Sequence, residues 1–391
     1  MVSYRASGND GRLLGTVFRT ARFPVRVATT TENRYERGVR FSLDEVTGAL
    51  GDSITVLPVV VALGVLTDVS LAHALLGFAV FQVVWGVRYG LPVSVEPMKA
   101  LAGLAIAGTL AYGELVAAGL LAGGLLLVAG RTGTMARIQQ YVAEPVVRGV
   151  QLAVAALLAL AGLDLAASAP GIALAGLAVA VAATILHRRT GALAVLAVGT
   201  GVAVWGGGVP TVMLPGLTLF PAGGPTLTTG ALEGLAGQLA MTVGNAAVAT
   251  SLLLADLFDA DVSADDLAES MGVMNLLAVP LGAIPMCHGS GGLAGKYAFG
   301  ARTGGANLVL AVLYAGAALV AGLWTGFPLA MLGVLLLAVA WQLATVALDS
   351  RDRPLVVGMA TLAVLTNVGV AFVAGLAGHA LLRQVRRRSL N

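Results

Sequence analysis

The chain has 391 residues, 58% hydrophobic and only 11% charged, with a formal net charge of +3 and a mean hydropathy of +0.89. Soluble domains carry about a quarter charged residues, and nothing here is polar enough to cover so large an apolar core, which excludes a soluble globular protein. The single cysteine, Cys287, excludes an intramolecular disulfide and leaves the redox compartment unreadable.

Residues 1–40 hold eight arginines and no long apolar stretch, so they do not form a secretory signal. Their arginine-rich, acid-poor make-up also suits an organellar transit peptide. A disordered or interfacial cytoplasmic arm is the preferred reading, because positive segments stay inside. From 43 to 382 the chain is a series of apolar runs broken by short Gly, Pro or charged patches. Each run is long enough to cross a bilayer as a helix. Runs such as LVAAGLLAGGLLLVAG (115–130) do not alternate at period two, which excludes barrel strands.

The first set of predicted spans is 43–65, 70–87, 92–112, 114–130, 144–162, 172–187 and 191–206. The second is 229–255, 270–284, 285–323 (a broken segment plus a helix), 327–348, 354–367 and 368–383. These make about fourteen elements. With both ends inside, Arg88, Arg131, Arg137, Arg188, Arg189, Arg351 and Arg353 all fall in cytoplasmic connections. The tail 384–391 is basic as well, whereas the longest outer connection, 207–228, is uncharged. Lys99, Arg148, Lys296 and Arg302 lie in or beside spans and need another explanation.

LPVSVEPMKALAG (91–103) matches IPMCHGSGGLAG (284–295) with one gap, and TVLPVVVA (55–62) lines up with TVGNAAVA (242–249). The offset is half the transmembrane region. Two seven-element repeats, 41–210 and 229–383, would therefore be inverted in topology, as in secondary transporters with interrupted helices. Both matched segments are interrupted. Pro92 and Pro97 prevent a regular helix across 91–98, and PMCHGSGG (285–292) is equally unfit for mid-helix. A half-helix starting after each break would offer unpaired N–H groups to an anion.

Lys99 and Lys296, the only lysines, each follow one of these breaks. A lysine at membrane depth defaults to function, although either could pair with a carboxylate and Lys296 could snorkel to an interface. The carboxylates within spans are Glu45, Asp52 and Glu96. Glu96 precedes Lys99 by three residues, so the two can meet. A carboxylate such as Asp52 in a dry cavity can take a proton and couple uptake to a gradient, or it can serve as a salt bridge or cap. His288 has a titration range suited to coupling. Its neighbour Cys287 suggests a metal, but no further ligands have zinc-like spacing. The acidic run DLFDADVSADDLAES (256–270) could hold Mg²⁺ in an intramembrane enzyme, yet no second acidic cluster complements it, and a solvated loop is preferred.

EVTGALGDSITVLP (45–58), PVSVEPMKALAG (92–103), PVVRGVQL (145–152), TVGNAAVATSLLLADLF (242–258) and PMCHGSGGLAGKYAFGARTGG (285–305) resemble the landmarks of the molybdate transporter family. That family is similar to the wider sulfate-permease and nucleobase-transporter superfamily. The resemblance covers nearly everything from 41 to about 380 and implies an all-α polytopic membrane protein. It further implies two intertwined inverted repeats, forming a core and a gate domain, with an oxyanion site between the third and tenth elements. Glu96 departs from the pattern, in which glutamine is expected. The soluble regulatory domain of the sulfate-permease branch has no room in this chain.

The residues taken as substrate contacts in the first half are Asp52, Thr55, Ser94, Val95, Glu96 and Lys99. Those in the second half are Asn245, His288, Gly289, Ser290, Gly291 and Lys296, and Asp52 and Glu96 are also the coupling candidates. The expected function is secondary transport of a tetrahedral oxyanion, molybdate first and sulfate second, with proton coupling and no metal or other cofactor. A nucleobase or other small-anion carrier is the alternative. The expected setting is the plasma membrane, with both termini cytoplasmic, no nucleic acid partner and a possible homodimer.

Overall fold

The computed structural model describes residues 37–186, 190–208 and 211–388. Most of the predicted arm, the Arg188–Arg189 pair and the last three residues lie outside the described residues. In the first half, α1 spans Leu43–Leu66, α2 Leu71–Tyr89, β1 Glu96–Pro97, α3 Lys99–Ile106 and α4 Tyr112–Arg131. A short α5 (Met135–Gln139) leads into α6 (Glu144–Ser168), α7 (Pro170–Leu186) and α8 (Gly191–Gly207). In the second half, α9 covers Thr229–Phe258. It is followed by α10 (Ala264–Ala278), β2 (Met286–Cys287), α11 (Ser290–Ala298), α12 (Gly305–Leu319), α13 (Leu329–Ala347), α14 (Arg353–Leu365) and α15 (Val368–Arg388). Six of these helices, α1, α2, α4, α6, α9 and α13, are individually long and apolar enough to cross a bilayer.

Several boundaries differ from the sequence-based expectation, each for a local reason. The acidic run 256–270 is not one loop: α9 continues to Phe258 and α10 begins at Ala264. Ser263 caps α10 by accepting from the Asp266 N–H at 3.0 Å, while Asp266 Oδ2 accepts from the Ser263 N–H at 2.9 Å. Acids at a helix N-terminus are favoured there, so a stretch that reads as polar loop is a helix start. The 92–112 and 285–323 segments each reduce to an extended break, a half-helix and a separate following helix. The two strands add a small β element to an otherwise helical chain. α5 and the π-helical stretch Thr242–Ala249 inside α9 had no sequence signal. α15 runs through Arg388, so most of the expected tail is helix.

β1 and β2 pair antiparallel, with Glu96 opposite Cys287 and Pro97 opposite Met286. The repeat match relates these two segments to one another, so equivalent pieces of chain run in opposite directions, which is what inverted halves require. Helix packing repeats the same exchange. The second element, α2, packs with the eleventh, α12, and the fourth, α4, with the ninth, α10. The most extensive helix contact joins the equivalent elements α6 and α13.

Small residues allow these approaches. A Cβ at Gly272 of α10 would stand 2.5 Å from the Leu127 nitrogen of α4. One at Gly333 of α13 would stand 2.5 Å from the Gly162 oxygen of α6.

Candidate functional site

The strand pair brings the two half-helix N-termini side by side. The Met98 N–H donates to Pro285 O at 2.9 Å, and Asn275 of α10 clamps β2 from behind through the Met286 N–H and carbonyl, both at 2.7 Å. His288 locks the opposite side. Its Nδ1 faces Ser94 O at 2.8 Å, and Ser270 Oγ lies 2.7 Å from Nε2. With the Nδ1 proton directed at the carbonyl, Nε2 is left to accept. The ring is fully buried, edge-on to Trp85 and Tyr89.

Both half-helix N-termini have partners from the chain itself. At α3, the Ala100 and Leu101 N–H groups donate to Gln238 Oε1 of α9 at 2.9 and 3.4 Å. At α11, the Gly292 N–H donates to Glu96 Oε1 at 2.8 Å. Ser94 Oγ is 3.2 Å from the same oxygen, and Lys99 pairs with Glu96 Oε2. The Glu96 carboxylate therefore occupies the position that a helix N-terminus offers an anion. Gly289 and Gly292 make room for it: an added Cβ would lie 2.0 and 2.2 Å from Glu96 Oε1.

Ser94 links this cradle to a second charged centre, its Oγ lying 2.7 Å from Asp52 Oδ1 of α1. Asp52 Oδ2 is 3.2 Å from Lys296 Nζ, and both residues are completely buried. Lys296 therefore does not snorkel. Its ammonium also donates to Asn307 Oδ1 (3.1 Å), Val93 O (3.3 Å) and Gln82 Oε1 (3.4 Å). Two lysines and two carboxylates thus form one chain of ion pairs and hydrogen bonds, Lys296–Asp52–Ser94–Glu96–Lys99, whose charges cancel.

The remaining expected contacts lie on the rim or support it. Ser290 donates to Asn245 Oδ1 in the π-helical stretch of α9. Ser290, Asn245 and Lys99 are partly exposed, and Gly291 is exposed with open space beside it. Thr55 turns its hydroxyl back to Asp52 O at 3.3 Å. Val95 is buried, and its carbonyl accepts from Gln82. Glu45 is apart from the cluster. Its carboxylate accepts from the Arg302, Thr303 and Ala306 N–H groups at 2.9–3.1 Å, just ahead of and within the first turn of α12.

Arg302 stacks on Tyr297 with its guanidinium 3.8 Å from the ring centre, and Arg148 pairs with Glu144 at 3.0 Å. Among the described residues, no three His, Cys, Asp or Glu side chains are placed to hold a metal ion.

Sequence reasoning missed Gln82, Gln238 and Asn307. The signal was available: each is a lone amide in an apolar run, and a polar side chain at membrane depth has a partner or a job.

Interrupted helices crossing as an antiparallel pair, with buried charges at the break, define a polytopic membrane transporter of the inverted-repeat type. The family model for a molybdate transporter of the MFS superfamily matches residues 44–158 and 230–343, and the chain belongs to that family. It is 30% identical over 399 residues to molybdate transporter 1 of Arabidopsis thaliana, covering 86% of this chain and 87% of that protein. It is 28% identical over 488 residues to molybdate transporter 1 of Chlamydomonas reinhardtii, covering 90% and 93%. The chain is thus a transporter and not an enzyme.

The fold is shared with the transmembrane domain of a cyanobacterium bicarbonate transporter, BicA, at TM-score 0.62 and 15% identity, covering 86% of this chain and 98% of that one. It is also shared with the murine Slc26a9 anion transporter in the inward-facing state, at TM-score 0.65 and 13% identity, covering 98% and 74%. The two halves of MFS transporters are parallel repeats, so the superfamily label in the family's description does not fit the antiparallel pairing seen here.

Proposed function

We propose that this chain carries a tetrahedral oxyanion, molybdate first and sulfate second, across the plasma membrane by alternating access, with protons as the coupling ion. The supporting observation is that the N-terminus of α11, with Ser94 and Lys99, already holds an anionic group, the Glu96 carboxylate. An incoming oxyanion would take the same donors, and the partly open rim of Ser290, Gly291, Asn245 and Lys99 is its approach.

A second fixed negative charge beside the oxyanion would cost several kcal/mol at low effective dielectric. Glu96 therefore takes a proton when the anion binds, and Lys99 is then released to pair with the anion. That proton is the coupling ion, and Asp52 is its relay partner through Ser94. The relatives' names support molybdate as the substrate. α1–α4 with α9–α12 form the core domain that carries the site, and α6–α8 with α13–α15 form the gate.

The test is uptake of radiolabelled molybdate and sulfate into proteoliposomes of the purified protein, with and without an inward proton gradient. Molybdate uptake that rises with external acidity and is inhibited by unlabelled sulfate is expected. Uptake of neither anion, or uptake indifferent to the gradient, would refute the substrate or the coupling respectively.

A further inference from the structure

Around Lys296 Nζ stand four oxygens from four separate pieces of chain: Asp52 Oδ2 of α1, Gln82 Oε1 of α2, Val93 O before β1, and Asn307 Oδ1 of α12. The two amides are held with their oxygens inward. Asn307 Nδ2 donates at 2.6 Å to Val93 O, itself one of the four oxygens, and Gln82 Nε2 donates to Val95 O at 3.4 Å, so each nitrogen has a carbonyl partner and each oxygen is left for Lys296. Lys296, Asp52, Gln82 and Asn307 are all fully buried. One carboxylate and three neutral oxygens surrounding a single positive atom have the donor set of a monovalent cation site.

We propose that this is a cation seat whose occupant is covalently attached, the Lys296 ammonium standing where a free monovalent ion would otherwise sit. The N···O distances, 3.1–3.4 Å, are those of an ammonium. They are far too long for Mg²⁺ at about 2.0–2.1 Å or Ca²⁺ at about 2.3–2.6 Å. The chemical class that fits the emptied seat is therefore a small ammonium or a large alkali ion. The consequence for the native protein is that α1, α2 and α12 are held to α11 without any ion from solution. The inference does not depend on which anion is carried.

The experiment uses the purified full-length protein in detergent at constant ionic strength. Thermal unfolding is followed in choline, sodium, potassium, methylammonium and magnesium chlorides. Wild type should unfold at the same temperature in all five. Lys296→Ala should unfold several degrees lower in choline, whose cation is too large for the seat. Potassium and methylammonium should raise it saturably, and magnesium should not. Lys296→Ala/Asp52→Asn, which removes both charges, should lose that response while still folding.

A wild type stabilised by an alkali ion would overturn the proposal. So would a Lys296→Ala protein that behaves identically in every salt, or one that cannot be recovered in any of them. Retention of the cation response in the double variant would overturn it as well, because the seat requires the Asp52 charge.

Discussion

At the scale of single residues, the decisive feature is that Glu96 takes the place of an anion. Two unit charges about 4 Å apart interact by about 4 kcal/mol at an effective dielectric of 20, so a dianion and a charged Glu96 do not share the cradle. If the empty protein holds Glu96 charged and the anion-bound protein holds it protonated, binding takes up one proton. The sign follows directly: the dissociation constant for molybdate falls about tenfold for each unit drop in pH while the pH lies between the value at which Glu96 titrates in the free protein and the higher value at which it titrates in the anion-bound one. Glu96→Gln should flatten that slope and bind as tightly or more tightly above neutral pH. Lys99→Met should weaken binding at every pH, since it deletes a positive partner without adding a titrating group. Titrations of molybdate and sulfate across pH 5–8 (about the range in which such a group would titrate) on the three proteins check both. An unchanged slope in Glu96→Gln removes the coupling role. Loss of all binding in that variant shifts the substrate to one with a hydrogen-bond donor, in the manner of a nucleobase.

At the scale of elements, the half-helices are specified by what meets their first turns. Gly292 lies in the first turn of α11, where an added Cβ would be 2.2 Å from Glu96 Oε1 and 2.3 Å from both Asp52 Oδ1 and Ser94 Oγ. Gly292→Ala should therefore abolish anion binding and cost about 1–3 kcal/mol of stability through overpacking. Gly291→Ala, with nothing within 4 Å of the added atom, should unfold at the wild-type temperature. Equal unfolding temperatures for both variants would mean that the cradle yields easily and does not fix the anion. The α3 terminus depends instead on Gln238. Gln238→Leu strands two buried N–H groups and should cost about 1–3 kcal/mol for each group left unsatisfied. Anion binding measured on the same sample separates this capping role from direct recognition. A Gln238→Leu protein as stable as wild type would show that water replaces the cap.

At the scale of the whole molecule, the spans and the inverted plan were legible because bilayer thickness imposes its own length on apolar runs, and because two prolines and a glycine-rich run mark the breaks. What was not legible is what links residues far apart in the chain. Lys296 meets Asp52, and Gln238 meets α3, only once the halves interlock, and no local pattern encodes either meeting. The start of α10 was hidden for a different reason: Asp265 and Asp266 lower the hydropathy while stabilising a helix N-terminus. Cytoplasmic termini are the orientation expected from an even number of crossings together with the basic connections. Gly38 bonds to Gly90 and Gly304 at 3.0 and 3.1 Å, so the entry to α1, the end of α2 and the α11–α12 connection share one side. Arg302 is in that connection, which explains a basic residue that the span count alone left unassigned. Positive connections tend to face the cytoplasm, and an even count of crossings would return the end of α15 to the same side. Single cysteines at Val39 and Gln384, in a Cys287→Ala background, should resist an impermeant thiol reagent in intact cells and react after permeabilisation. A cysteine at Ala222, in the exposed connection before α9, should react in intact cells. Labelling of Val39 or Gln384 alone would require an odd number of crossings and would break the inverted arrangement. Labelling of both, with Ala222 protected, would keep the fold but reverse its orientation.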